Sequence, residues 1–330
     1  MVPEGAADPP KNQWLFTQEE VRRSPSSLLD YTWDRERVER MKGCDFILKV
    51  GMKLRLPQTT ISTACVFLHR FYMRFSLKDF HYYDVAATTI FLATKCEETG
   101  RKLSDIVVAC AKTAQKNDAA IIDEQSKDYW RWRDVILYNE ELLLEALCFD
   151  LIIDHPYSQL KEYWRQFNGG REVAKTAWAC ANDTYRTTIH LCYDSNTIAL
   201  ACLYYASIFS GQVLDDVDNK PWYQTTNINM DTVIEIITIM VELYENSQQV
   251  VKDGYDPKAL AVAGTEALRL LQEQLAAMKN VSPAEITVED TKALNIQYPP
   301  STSNGKRHNT TDESSNGHAE KKIKVNDQGY

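Results

Sequence analysis

The chain has 330 residues, of which 44% are hydrophobic and 25% are charged, and its formal net charge is −9. This length predicts two domains with a sizeable core, and the acidic balance argues against direct nucleic-acid binding, because modules that bind phosphate backbones generally carry a basic surplus or patch. No apolar run reaches the roughly 18 residues of a membrane span, and the first residues lack an apolar secretory segment. We therefore expect an intracellular protein without a membrane partner.

The cysteines predict neither a zinc site nor a disulfide framework. None of them forms a C-x-x-C pair, and all fall inside apolar helical patterns, which is typical of buried reduced thiols. The eight positions are Cys44, Cys65, Cys96, Cys110, Cys148, Cys180, Cys192 and Cys202.

Helical periodicity dominates residues 35 to 280, and alternating strand patterns are nearly absent, so the sequence predicts an all-α fold. Pro57 stands at the entrance of the second helix, and Gly100 suits the exit of the third. After the fourth helix, the polar stretch 113–128 predicts a surface loop. The predicted helices of this half span 35–54, 58–75, 82–98, 103–112 and 130–148.

The stretch "FDLIIDHPY" predicts an extended connector and a domain boundary. Asp154 and Pro156 are placed to start a new helix, by capping and by a preset φ angle respectively. A polar insertion at 211–229 separates the last two helices of the second half. Those helices are predicted at 156–168, 171–187, 195–209 and 229–246. We therefore predict a first bundle over 35–152 and a second over 153–250.

The ends of the chain differ from the middle. Residues 1–13 are expected to be disordered and 14–34 to form an N-terminal extension. Within 251–282, helix formers follow Pro257 and predict an accessory helix that packs on the bundle or on a partner. The tail 283–330 is polar and is expected to be disordered. It contains a basic pattern that resembles a two-part nuclear import signal, for which a merely solvated basic tail is the alternative; its members are Lys306, Arg307, Lys321, Lys322 and Lys324.

An internal repeat appears when the sequence is shifted by 113 residues. The shift aligns Thr63 with Thr176, and it also superposes Tyr72 on Tyr185, without a gap. The second and third helices of each half are therefore predicted to be equivalent. The same shift places Lys95 on Ile208, so the architecture itself accepts an aliphatic residue there.

Catalytic constellations are not found in the sequence. There is no glycine-rich phosphate loop, no H-E-x-x-H motif and no strand-turn-helix that could hold a nucleophile. His69 is interpreted as structural, and Asn182 and Asp183 are expected to satisfy neighbouring backbone or the seam between the domains. A helical enzyme with a dispersed site that uses a thiol stays as an alternative.

The fifth predicted helix carries an apolar stripe that is expected to face the core. Leu137 and Leu144 lie off this stripe, and Glu140 lies at its edge beside them. Lys95, at the end of the otherwise apolar third helix, must extend outward or pair. One interpretation is an internal Lys95–Glu140 bridge that only tightens the bundle; the other is that both residues also bind a partner helix through charge-assisted hydrogen bonds.

Several segments resemble a known family. The stretch "FLATKCEETGRKLSDI", followed by "NEELLLEALCFDL", resembles the first cyclin box of a cyclin. The segments "WLFTQEEVRRSPS", "FLHRFYMRFSLKDF", "DHPY" and "AWACANDTYRTT" more narrowly resemble the transcription-type cyclins K and T. The resemblance implies two tandem five-helix cyclin boxes. It also implies a nuclear, non-catalytic and cofactor-free regulatory subunit of a cyclin-dependent kinase, with the C-terminal domain of RNA polymerase II as the indirect substrate.

The resemblance also implies which residues bind the kinase. The family's paired lysine and glutamate correspond to Lys95 and Glu140, and neighbouring contact positions correspond to Cys96, Leu144 and Phe149; Leu137 joins this set through its position off the core stripe. The first helix reads "ERMKG" where cell-cycle cyclins carry the substrate-docking M-R-A-I-L segment. A cell-cycle role is therefore not expected. The alternatives are a cyclin of the C, H or L type and, more distantly, a DNA-bound factor of the IIB type, which would need a zinc ribbon and basic faces.

Overall fold

The computed structural model describes residues 12–217, 220–246 and 256–280, with side chains described as far as residue 276. The described residues of the first half fold into helices joined by turns and one short 3-10 segment, as the periodicity predicts. These helices are α1 (Gln18–Arg22), α2 (Trp33–Lys53), α3 (Gln58–Phe71), α4 (Tyr82–Cys96), α5 (Leu103–Ala114) and α6 (Lys127–Ala146).

The second half is also built of helices where it is described, with a 3-10 helix at Trp222–Thr226 and an isolated bridge between Val217 and Lys220 in its connections. Its helices are α7 (Tyr157–Gln166), α8 (Arg171–Thr184), α9 (Ile189–Cys192), α10 (Ser195–Ser210), α11 (Met230–Glu245) and α12 (Pro257–Asn280). The all-α prediction is confirmed. Of the helices described, none has the length and apolar character needed to cross a bilayer.

Each half is a bundle built around one central helix. In the first bundle α4 packs against α2, α3, α5 and α6, and in the second α10 packs against α7, α8, α11 and α12. Both central helices are apolar around most of their circumference, since Ile90 and Phe91 are buried on α4, and Leu200 and Leu203 on α10. A helix of this kind is stable only when other helices surround it.

The predicted repeat is present in the structure. Helices α3 and α8 are displaced by 113 residues at both ends, and α4 and α10 begin at the same displacement. The displacement no longer holds after α10, because the polar insertion delays α11. At the aligned position on the central helices, Ile208 is buried whereas Lys95 reaches the surface.

Three local predictions were wrong. Helix α3 ends at Phe71 rather than at 75. Helix α4 leaves the helical conformation through Glu98, which has a φ of 52°, so the left-handed residue is Glu98 and not Gly100. Asp154 does not cap α7; its carboxylate accepts a hydrogen bond from the Ser195 hydroxyl, and Pro156 occupies the capping position without a side-chain bond.

The cysteine prediction holds for most positions but not for all. All eight thiols are free, and Cys44, Cys65, Cys110, Cys180 and Cys202 are buried. Cys96 and Cys192 are half-buried, and Cys148 is exposed, because it follows the last turn of α6 and leaves the core face. Burial raises the pKa of the Cys192 thiol to about 12, so this half-buried thiol is protonated at neutral pH.

Helix α12 packs on the second bundle, which is one of the two positions that the sequence left open for it. A side chain in place of Gly264 would approach Val241 at 2.4 Å and the Tyr205 ring at 2.7 Å, so α12 lies directly against α10 and α11. The Tyr205 hydroxyl donates a hydrogen bond to the carbonyl of Leu260.

The N-terminal extension contacts both bundles. The indole of Trp14 is buried and donates to the Asp150 carboxylate across 3.1 Å. Two residues later, the backbone N–H of Phe16 donates to the carbonyl of Leu191 across 2.7 Å. Because these bonds reach a connector residue and the second bundle, the extension joins the two halves.

Three histidines, of which His69 is buried and His155 and His190 are half-buried, converge on Tyr185 at the seam between the bundles. The carbonyl of Tyr185 is 3.0 Å from His69 Nε2, and its hydroxyl is 2.6 Å from His155 Nδ1. Its ring stacks on that of His190, with the ring centroids 3.8 Å apart. Burial lowers the pKa of His155, and it lowers the pKa of His190 further, where the other two histidines add repulsion; Glu97 and Asp154 partly offset the effect at His155.

Acidification should therefore destabilise the protein. His155 and His190 are neutral in the folded state at a pH where they are protonated in the unfolded state, so the free energy of unfolding should fall as the pH drops below about 6.5. The slope should approach about 1.4 kcal/mol per pH unit for each histidine, until the folded pKa is reached. Urea denaturation at several pH values between 7.5 and 5 measures this slope.

The variant His190→Gln keeps a polar partner for the Thr184 hydroxyl, which lies 2.9 Å from His190 Nε2. It should show a shallower pH profile than the wild type. An unchanged slope in His190→Gln would show that this histidine does not cause the acid sensitivity.

Candidate functional site

Lys95 and Glu140 form an ion pair on the surface of the first bundle. The last turn of α4 carries Lys95 and the middle of α6 carries Glu140, and the Nζ to Oε1 distance is 2.5 Å. The Lys95 ammonium also lies 4.0 Å from the centroid of the Phe91 ring. The side chains are 49% and 20% exposed, so the pair is accessible to another molecule.

The structure therefore contains the internal bridge that was one of the two interpretations. Exposed ion pairs of this kind contribute only about 0–1 kcal/mol to stability, because water screens them. An ammonium has three donors, and Glu140 occupies one of them, which leaves hydrogen-bonding capacity for a partner. The bridge fixes the positions of both side chains and leaves donors of the ammonium available for a partner.

The leucines predicted beside Glu140 lie along the same side of α6. Leu137 is exposed, and Leu144 is half-buried against the core. Cys96 follows Lys95 at the end of α4 and is half-buried, and its burial raises the pKa of the thiol. Apolar groups thus lie beside the ion pair, as they do at the centre of many protein interfaces.

Phe149 stands at the far end of this surface, just beyond α6. Its side chain is 67% exposed, and it shares a left-handed backbone with Cys148, since the φ angles are 56° and 52°. Residues with bulky side chains rarely adopt this conformation and lose energy in it, and such strain clusters at functional sites. The backbone N–H of Phe149 donates to the carbonyl of Leu144 across 3.0 Å, so a backbone hydrogen bond closes the turn.

Sequence reasoning missed the residues that hold this turn. Asp150 accepts from the Trp14 indole, and its carbonyl accepts from the Arg70 guanidinium across 3.2 Å. The same guanidinium lies 4.6 Å from the centroid of the Trp14 ring. The N-terminal extension therefore supports the turn that exposes Phe149. An isolated tryptophan before the first predicted helix was the available signal, but its partner lies 136 residues away.

The predicted site residues of the first bundle are thus brought together. Lys95, Glu140, Cys96, Leu137 and Leu144 lie on the adjoining ends and faces of α4 and α6, with Phe149 beyond them. The basic residues of the tail lie outside the described residues; they are Lys306, Arg307, Lys321, Lys322 and Lys324.

The residues considered for other chemistry have structural partners. His69 is buried and bonded at Nε2, and the carboxylate of Asp183 accepts from the Tyr244 hydroxyl across 3.1 Å. Asn182 accepts from the Tyr157 hydroxyl across 2.9 Å. Within the described ranges, no group of three or more His, Cys, Asp or Glu side chains is arranged to hold a metal ion.

Comparison with known proteins agrees with this architecture. The family model described as "Cyclin, N-terminal domain" matches residues 13–152. Cyclin pch1 of Schizosaccharomyces pombe is 45% identical over 247 residues, which are 74% of this chain and 72% of that protein. Cyclin-T1-3 of Oryza sativa subsp. japonica is 33% identical over 239 residues, which are 71% of this chain and 49% of that protein. The chain belongs to the cyclin family.

Within that family, the relatives named above are cyclin pch1 and a plant cyclin-T, and the resemblance to cyclins K and T agrees with them. The chain covers most of the fission-yeast relative but only about half of the rice protein. A solved structure of the yeast RNA polymerase II CTD kinase CTDK-1 complex contains a chain with the same fold, at a TM-score of 0.60 and 17% identity. The match covers 78% of this chain and 82% of that one.

Proposed function

We propose that this cyclin is the non-catalytic regulatory subunit of a cyclin-dependent kinase that phosphorylates the C-terminal repeat domain of RNA polymerase II. The observation that carries the proposal is the accessible Lys95–Glu140 pair on the first bundle. The fold does not require this pair, since the repeated helix buries Ile208 at the position of Lys95. Because the architecture accepts an aliphatic side chain at this position, a binding role explains why a charged residue stands there.

The proposed mechanism is the completion of another protein's active site. In protein kinases, a glutamate on a mobile helix must pair with the lysine that orients ATP. The Lys95 ammonium can donate to partner carbonyls or carboxylates, while Leu137, Leu144 and Phe149 cover apolar side chains of the kinase. Docking on this surface would hold the mobile helix in its active position, because the cyclin would contact the helix only in that position.

Three further parts of the proposal come from the family relationship. Relatives of the cyclin-T type support a transcription kinase as the partner, and the yeast complex in which one chain shares this fold is described as an RNA polymerase II CTD kinase. We propose that the chain acts in the nucleus and supports transcription elongation, with the basic tail residues as its import signal. We also propose domain limits of 35–152 and 153–250 for the two boxes, with residues 14–34 as an extension that contacts both and α12 as an accessory helix on the second.

Purification of the full chain from its native cells tests the function. Mass spectrometry of the co-purifying proteins should identify a cyclin-dependent kinase in about equal amount. The isolated kinase should phosphorylate a peptide of polymerase C-terminal repeats slowly, and addition of the purified chain should accelerate the reaction by several orders of magnitude. A chain that purifies without a kinase, or a kinase that is equally active alone, would contradict the proposal.

A further inference from the structure

One side of α6 carries exposed residues beyond the kinase contacts that the family resemblance implies. Trp130, Arg133, Leu137, Glu140 and Leu144 follow one another at spacings of three or four residues, so they share one side of the helix. At 1.5 Å per residue, this row is about 21 Å long. We call Trp130, Arg133 and Leu137 the distal row, because they lie on the side of Glu140 away from Phe149.

Trp130 is an exposed aromatic residue held in one position. Its side chain does not belong to the buried core, and the whole residue is 46% exposed. The indole nitrogen donates to the carbonyl of Glu124 across 2.8 Å, and the Arg133 guanidinium lies 5.3 Å from the ring centroid. A fixed tryptophan with an arginine on its ring is a combination that dominates the binding energy of many interfaces.

Arg133 gives the distal row its charge. Its ion pair within the described residues is with the neighbouring Asp134 across 3.2 Å, and the two side chains are 39% and 69% exposed. Such an exposed pair is weak, and the planar guanidinium keeps further donors for a second carboxylate. Arg133 is also the only charged member of the row between Trp130 and Leu137. A complementary surface therefore presents an acid between two apolar contacts.

The distal row is continuous with the proposed kinase contacts. Leu137 belongs to both, and Trp130 lies about 15 Å along the helix axis from Glu140. A partner that covers Glu140, Leu137 and Leu144 would end at the edge of Trp130 unless it extended along α6. A second partner would have to share Leu137 with the first. Continuity and charge therefore favour one occupant.

We infer that the kinase subunit itself presents a second segment, with a carboxylate and flanking apolar side chains, that docks on the distal row. This inference rests on the proposed function. The Lys95–Glu140 pair anchors the kinase, and the distal row adds affinity and selects kinases that carry an acidic segment at this place.

Binding measurements with the co-purifying kinase test the inference, with the full chain in every variant. Trp130→Ala should raise the dissociation constant at least tenfold, and Arg133→Glu should do the same. Arg133→Lys should lie between wild type and Arg133→Glu, because it keeps the charge but loses the planar donors. Wild-type affinity should also fall more steeply with added salt than that of Arg133→Glu.

Trp178→Ala is the matched control. Trp178 is 43% exposed, but it lies on α8 of the second bundle. The Trp178→Ala variant should bind the kinase with a dissociation constant within twofold of that of the wild type. The same is expected of Tyr138→Ala, since Tyr138 is exposed on α6 but points away from the row.

The outcomes separate the inference from the function on which it rests. Normal binding by Trp130→Ala and Arg133→Glu, with loss of binding by Lys95→Glu, would overturn the distal contact and keep the kinase partnership. Normal binding by all three variants would overturn both. An equal loss in Trp178→Ala would also overturn the distal contact, because the effect would not be specific to α6.

Discussion

Lys95→Glu is expected to abolish co-purification of the kinase while the helical circular dichroism and the thermal unfolding stay near those of the wild type. The substitution places two carboxylates beside each other where the structure has an ion pair of 2.5 Å. Like charges that face a partner's surface cost several kcal/mol in binding. The fold should lose little, since the bridge is exposed and contributes about 0–1 kcal/mol. Pull-down of the kinase and thermal unfolding of the free chain provide the two measurements.

The exchange variant Lys95→Glu/Glu140→Lys distinguishes an internal bridge from a contact with the partner. It restores an ion pair within the chain, but it presents the charges to the kinase in exchanged positions. We expect thermal unfolding to stay near that of the wild type and binding to stay lost. Recovery of binding would show that the bridge alone matters, and unfolding of the single variant would indicate that its role is structural.

Arg40→Ala is expected to destabilise the protein by about 3–5 kcal/mol, because it breaks a buried ion pair. Arg40 and Glu36 are both fully buried in α2, with 2.7 Å between Arg40 Nη2 and Glu36 Oε1. The guanidinium also donates to the carbonyls of His69 and Tyr72, each across 2.9 Å. The Ser24 hydroxyl of the extension donates to Glu36 across 2.5 Å. Truncation leaves a carboxylate and two carbonyls buried without their cation.

Arg23→Ala is the control for this prediction. Arg23 pairs with Glu19 across 2.6 Å at the same four-residue spacing, but these side chains are exposed. Its removal should leave the midpoint of urea unfolding unchanged within error. The Arg40 variant should unfold at a much lower urea concentration, with a similar slope. Equal midpoints for the two variants would show that the buried Arg40 pair contributes no more to stability than the exposed Arg23 pair.

The helices were predictable because their periodicity is strong, whereas their ends depend on local detail. The shift of 113 residues identified α3 with α8, and the structure places both ends of these helices at that displacement. The exit of α4 was assigned to Gly100, yet the chain adopts the left-handed conformation at Glu98. Glycine favours that conformation without requiring it, so the competing hydrogen bonds of the turn decide where it occurs.

The predictions for the candidate site divide in a similar way. The charge of Lys95 in an apolar helix, and the displacement of Leu137 and Leu144 from the core stripe of α6, are visible in the pattern, because periodicity fixes which side of a helix each residue occupies. The capping role predicted for Asp154 was wrong, since such an assignment considers only residues that are near in sequence. Its partner, Ser195, lies 41 residues away.

The sequence alone therefore determined the all-α class, the repeat, the sides of α4 and α6 and the family resemblance, since each depends on local spacing or on motifs. Only the tertiary structure decided that Lys95 reaches Glu140, that Trp14 supports the turn of Phe149 and that three histidines surround Tyr185. It also showed Cys148 to be exposed and Trp130 to be held beside Arg133. Most of these contacts join residues that are distant in sequence, and distances between such residues depend on how the helices pack, which periodicity does not specify.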